Sequence, residues 1–174
     1  TFSNTLCKKR LDGNGKTSAT VTLPKVPQAP GMLSANVLGT VMENGGAESY
    51  TALTLPYSPF SAYVGVQLPE GEGFMETGKT HDIPVALVDS EGRTVAEHRL
   101  EWRIFKLKWS WWWESRKEPL DSYINASAAS AESSGTFVSG KGKMYISFSV
   151  NDEDWGRYLI YVKDLDSGHA SGGI

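Results

Sequence analysis

The chain has 174 residues, a net charge of −3 and a slightly negative mean hydropathy. That length suits one large β domain, or one small domain with part of another. The balanced charge gives no basic footprint for nucleic acid or an anionic membrane, and the apolar runs are too short to cross a bilayer as a helix.

Thr17 to Leu23 alternates, with Ala19, Val21 and Leu23 on one side, and reads as a first strand. Ser34 to Glu43 and Ser49 to Leu55 read as two more, the latter carrying Tyr50, Leu53 and Leu55. Leu55-Pro-Tyr-Ser-Pro-Phe60 then places two prolines in six residues. Proline removes a ladder donor and stiffens the path, so this stretch is expected to mark a domain boundary. Tyr63 to Leu68 is a short strand pattern with Val64, Val66 and Leu68 in phase. Asp82 to Asp89 and Val95 to Lys108 flank Ser90-Glu91-Gly92-Arg93, which predicts a hairpin.

Within that second run, Trp102 and Ile104 share one phase and Phe105, Leu107 and Trp109 the other. Such a slip predicts either a β-bulge or a strand covered on both sides. Trp111, Trp112 and Trp113 follow in WSWWWES, an unusual concentration of aromatic surface, before Arg116 and Lys117. Four exposed indoles would form a large apolar patch, so ring packing at a sandwich end or against a neighbour is the favoured reading. On that reading at least two of the four are largely buried, with cation–π contact to the basic residues that follow. The alternative is a platform on which sugar rings stack. Trp102, Trp109, Trp111, Trp112, Trp113, Trp155 and Arg157 are the structural or interaction candidates.

Asn125 to Ser139 is rich in Ser, Ala and Gly and is expected to be an exposed loop. Lys143 to Val150 alternates through Met144, Ile146, Phe148 and Val150, and Arg157 to Lys163 through Tyr158, Ile160 and Val162. A glycine-rich tail closes the chain. Eight short strands separated by turn residues, with no helical stripe, predict an all-β protein, an immunoglobulin-like antiparallel β-sandwich. Three strands before Pro56 are too few for a sandwich of their own. Residues 1–57 are therefore expected to be the closing strands of a preceding sandwich. Residues 58–174 form the next one, with its last strand open to truncation.

Chemical motifs are sparse. Gly73-Phe-Met-Glu-Thr-Gly-Lys-Thr80 fits the phosphate-binding pattern G-x-x-x-x-G-K-[ST], and Val85-Ala-Leu-Val-Asp89 resembles the metal-binding strand that accompanies it. The chemistry needs a helix after the loop, so that its amides and dipole hold the phosphates. His81-Asp-Ile-Pro84-Val is extended by composition and carries a proline there, so a turn leading into a strand is expected. Asp12-Gly-Asn-Gly15 lacks the closing glutamate of a calcium loop and reads as a tight turn. Asn151-Asp-Glu-Asp154 reads as an acidic solvated turn. His81, His98 and His169 stand in no metal-ligand spacing, no G-x-S-x-G elbow is present, and Cys7 excludes an internal disulfide. No catalytic, cofactor-binding or metal residue is assigned, and an enzyme is not expected.

Four stretches in order carry a resemblance: Tyr63-Val-Gly-Val; Thr77-Gly-Lys-Thr-His81 leading into Val85-Ala-Leu-Val-Asp89; Glu101 to Ser115; and Asp154-Trp-Gly-Arg-Tyr158 with Asp166-Ser-Gly-His169. Together they resemble macroglobulin-like domains of bacterial α-2-macroglobulin-like proteins of the Bacteroides type. The resemblance is strongest from about Pro56 to Gly173. It implies a non-catalytic module in a string of seven-stranded sandwiches that traps proteases after cleavage of a bait segment. It also implies a periplasmic or envelope-associated parent, with neighbouring macroglobulin-like domains and target proteases as partners. Nucleic acid and direct membrane insertion are not part of that picture. Many such proteins bond the protease through a Cys–Gln thioester, but Leu6-Cys-Lys-Lys9 lacks the flanking glutamate–glutamine context. Asn125-Ala-Ser127 is formally a glycosylation sequon, expected to be unused in a bacterium.

Overall fold

The computed structural model describes residues 5–23, 26, 29–69, 74–107 and 131–174. All described regular elements are strands apart from one 3-10 turn, Asp152–Asp154. The strands are β1 (Leu33–Met42), β2 (Glu48–Tyr57), β3 (Tyr63–Val66), β4 (Thr80–Val88) and β5 (Arg99–Lys106). They continue with β6 (Ser133–Val138), β7 (Met144–Ser149), β8 (Tyr158–Asp164) and β9 (Ala170–Gly173). Among the described residues they form three antiparallel groups: the pair β1-β2, a three-stranded sheet β3-β4-β7 and a four-stranded sheet β6-β5-β8-β9. The all-β antiparallel sandwich expected from the sequence is therefore present.

The two larger sheets bury their facing sides against each other. Alternation aims Val64, Ile83, Val85, Leu87, Ile146 and Phe148 from one sheet at Leu100, Ile104, Ile160 and Val162 from the other. The opposite phase of β5 is buried as well: Phe105 and Leu159 form a second cluster on the far side of the four-stranded sheet. Leu107, Ala131 and Tyr161 pack on it. Register runs without a bulge from Leu100↔Asp164 to Lys106↔Tyr158, so the phase slip marks a strand covered on both faces.

Several expectations change. Thr17 to Leu23 forms no strand; Val21 and Leu23 are exposed, and among the described residues no partner strand lies beside them. Alternation sets which side chains share a face, but a strand also needs a neighbour for its backbone groups. The turn at 12–16 does form, with Asp12 Oδ1 accepting from the Asn14 and Lys16 amides at 2.9 and 2.8 Å. Pro56 lies within β2, opposite Ser34, rather than beyond it.

The stretch assigned to an exposed loop contains β6, and Ser139 is buried. Its small residues serve packing: Gly135 lies opposite Trp102, and a Cβ at Gly135 would stand 2.8 Å from three indole atoms. Gly135 thus leaves room for the Trp102 ring, while Phe137 of the same strand packs against the core. The glycine-rich tail is β9, so the sandwich has a 3+4 set of strands. At Gly172 an added Cβ would overlap the Ile160 carbonyl oxygen, a backbone atom that cannot rotate away. Gly172→Ala is expected to destabilise by about 1–3 kcal/mol through forced backbone displacement, read as a lower denaturation midpoint at unchanged m-value. An unchanged midpoint would refute close packing at this edge.

The predicted hairpin between 82–89 and 95–108 is also corrected. The turn closes through Asp89 N–H to Arg93 O at 2.9 Å, with a bridge between Val88 and Thr94. The chain then leaves the sheet. Glu97 adopts φ +67°, and its N–H donates to the Ser139 carbonyl at 2.8 Å, turning the backbone across to the second sheet. β4 and β5 are thus strands of opposite sheets rather than paired neighbours.

Candidate functional site

Where β8 turns into β9, the sequence Asp164-Leu-Asp-Ser-Gly-His169 gathers the buried polar groups of the sandwich. Gly168 takes φ +84° and its N–H donates to the Asp164 carbonyl at 2.9 Å, closing the turn. Asp164 has no exposed side-chain surface. Its Oδ1 accepts from the Asp166 N–H at 3.0 Å, and its Oδ2 accepts from His98 Nδ1 at 2.8 Å. Asp166 in turn accepts from the Arg99 N–H at 2.7 Å. The turn thereby secures the start of β5, and Ser139 Oγ accepts the His98 N–H at 3.0 Å from the β6 side.

Burial alone would push the Asp164 carboxyl upward. Hydrogen bonds from Ser167, His98 and the Asp166 amide outweigh it and hold the carboxyl below its ordinary value. A fixed carboxylate 2.8 Å from an imidazole also occurs in hydrolytic triads. Among the described residues, however, no hydroxyl or thiol hydrogen-bonds His98 Nε2, and Cys7 is exposed. Ligand atoms of His98, Asp164 and Asp166 also lie within 4.8 Å of one another. Both Asp164 oxygens, His98 Nδ1 and Asp166 Oδ2 already hydrogen-bond each other or backbone amides, so the group reads as a hydrogen-bonded brace rather than as a cation site.

A second set adjoins it. His169 is buried, and its Nδ1 accepts the Val64 N–H of β3 at 3.0 Å. Phe60 and Tyr63 contact the ring edge-on, with centroids 5.1 and 5.0 Å away. Tyr63 Oη lies 2.6 Å from Ser58 Oγ, and Ser58 Oγ donates to the Phe60 carbonyl at 2.9 Å. Ser167 Oγ lies 3.1 Å from the Ala62 carbonyl oxygen. The proline-containing linker between β2 and β3 is therefore fastened to the turn 105 residues later in sequence.

The candidate aromatic residues are distributed otherwise. Trp102 is half-buried over Gly135 at the inter-sheet core, whereas Trp155 is 77% exposed beside the 3-10 turn. Arg157 is exposed, and its carbonyl accepts from the Leu107 N–H at 2.8 Å. Trp109, Trp111, Trp112 and Trp113, and the burial expected for them, lie outside the described residues, as does Asn125. Sequence reading missed the histidine–aspartate network, because His98 and Asp164 are 66 positions apart. The one local signal was Asp164-x-Asp-Ser-Gly, whose spacing suits a side chain that hydrogen-bonds its own turn.

The phosphate-loop lookalike has the expected outcome. Thr77-Gly-Lys79 is a turn leading directly into β4, where Pro84 sits in extended backbone between core residues. Gly78 N–H donates to the Val150 carbonyl at 2.7 Å, and Thr77 Oγ1 hydrogen-bonds Asp152, so the turn is tied to the acidic 3-10 segment. Among the described residues no helix N-terminus follows to receive phosphate.

Comparison with protein families matches residues 65–173 to bacterial macroglobulin domain 6. Among curated proteins none matches the chain.

Proposed function

Because the chain belongs to the bacterial macroglobulin domain 6 family, we propose that it is a non-catalytic module of a protease-trapping inhibitor of the α-2-macroglobulin type. Its task on this reading is to hold neighbouring modules in place and to pass on their movement when the protease cuts. The parent protein would work in the periplasm or at the cell envelope.

The observation that carries the proposal is the β1-β2 hairpin. Pairing places Leu33, Ala35, Val37 and Val41 on one face with Leu53, Leu55 and Tyr57. Val41, Leu53 and Leu55 are 44%, 56% and 46% exposed. A lone two-stranded hairpin is marginal in water, and an apolar face of this kind needs a covering layer. We assign residues 1–57 to the closing strands of a preceding macroglobulin-like sandwich, whose other strands would supply that layer. A module joined to its neighbours in this way is suited to positioning and relay, and its buried polar groups are spent on bracing the fold.

The test uses the full-length inhibitor. After incubation with a broad-specificity protease, cleavage should produce a more compact species on size exclusion. The protease should co-elute with it and lose activity toward protein substrates. Cleavage without compaction or capture would overturn the trapping role.

A further inference from the structure

We infer that His169 is an acid-sensitive latch, holding the linker 58–62 and edge strand β3 against the β8–β9 turn while its ring is neutral and releasing them when it is charged. Among the described residues β3 pairs only with β4, so its other edge makes no ladder hydrogen bonds. The Val64 N–H lies on that edge, on a buried residue, and it donates to His169 Nδ1 at 3.0 Å. The acceptor must carry a lone pair, which fixes the neutral ring as the tautomer protonated at Nε2. Adding a proton at Nδ1 would set two N–H groups against each other, abolish the bond and leave the Val64 amide buried without an acceptor.

The surroundings leave that proton poorly compensated. The linker residues Ser58, Pro59, Phe60, Ser61 and Ala62 bring no ionisable side chain. β3 contributes the Tyr63 phenol, which lies 2.6 Å from Ser58 Oγ. The β8–β9 turn contributes Asp164 and Asp166, but Asp164 is engaged by His98 and Asp166 by the Arg99 amide. Lys163, the remaining charge on β8, projects to the opposite face from Asp164. Burial lowers the ring's proton affinity below that of an ordinary histidine, with Asp164 opposing in part. The latched state therefore prevails above about pH 6.5, the ordinary histidine value. Its contribution declines as the pH falls below that, where the open state binds the proton more strongly.

Release would act at the joint between hairpin and sandwich. The contacts from Phe60 and Tyr63 to the ring, and from Ser167 to Ala62, are what fix the linker to the β8–β9 turn. Acidification is thus expected to loosen the joint while both sheets stay folded.

NMR on this chain tests the latch. Protection of the Val64 amide, corrected for the intrinsic pH dependence of exchange, should fall at least tenfold as the His169 ring titrates. The Phe60 and Tyr63 ring resonances should shift with the same midpoint. His169→Gln, which offers an acceptor that does not titrate, should remove the pH dependence. Should that variant not fold, the wild-type comparison still decides. Val64 protection that stays constant through the His169 titration overturns the latch.

Discussion

Phe105→Ala is expected to lower the unfolding free energy by about 3–5 kcal/mol, matching or exceeding the roughly 2–5 kcal/mol expected for Ile104→Ala. Successive residues of a strand point to opposite faces, so in a sheet with one wet side one of these changes would be mild. Here Ile104 is 0% and Phe105 1% exposed, the first between the sheets and the second with Leu159 on the far side. Each deletion removes transfer free energy and leaves a cavity in a close-packed layer. Equilibrium denaturation of the two variants checks this. A loss below about 1 kcal/mol for Phe105→Ala would mean that the far face of the β6-β5-β8-β9 sheet is open to water.

Asp164→Ala is expected to cost about 3 kcal/mol near neutral pH, because it strands the His98 ring and the Asp166 amide that hydrogen-bond the carboxylate. His98 is partly exposed, which keeps the loss below that of stranding two fully buried groups. The sign with pH follows from the carboxyl being held below its ordinary value in the fold. Its stabilisation is complete above the unfolded aspartate value of about 3.9 and is lost as the pH falls through the folded value. His169 contributes a separate, earlier decline beginning near pH 6.5, since its folded proton affinity is lowered.

The wild type should therefore lose stability in two acid stages. The variant should lack the second. Its first stage should begin at the same pH but extend to lower pH, because Asp164 is what partly supports a proton on the folded His169. Urea midpoints measured from pH 8 to pH 3 check the pattern. A stability difference between wild type and variant that stays constant below pH 4 would show that the carboxylate is not the stabilising form.

The latch and the brace share the β8–β9 turn, which gives that turn a mechanical meaning within the proposed trap. One side secures the start of β5 through His98 and Arg99, and the other secures the linker through Ala62 and β3 through Val64. Force or displacement arriving at the β1-β2 hairpin would reach the sandwich through Ser58 to Ala62 and be received at this turn.

What could be read in advance follows from range in sequence. Period-two alternation through Met144, Ile146 and Phe148, or through Tyr158, Ile160 and Val162, reports a strand and its buried face locally. The same local chemistry argued for a turn leading into a strand after Thr77-Gly-Lys79, since Pro84 and β-type residues follow where a phosphate loop requires a helix. The likeness to macroglobulin domains rested on motif order, which is likewise a property of the chain alone.

Tertiary structure decided the rest. Only a partner can make Thr17 to Leu23 a strand, and among the described residues it has none, whereas Ser133 to Val138 became one because β5 lay ready to pair with it. Gly135 is intelligible only beneath Trp102, and the strand pair 82–89 and 95–108 separated because Glu97 and Ser139 carry the backbone across the sandwich. Asp164 with His98, and His169 with Val64, are joined across 66 and 105 positions. Local pattern can state that a side chain is polar, or that a backbone amide seeks an acceptor. Which acceptor it finds is settled when the sheets close and water is excluded, for only then does an unmet hydrogen bond become costly.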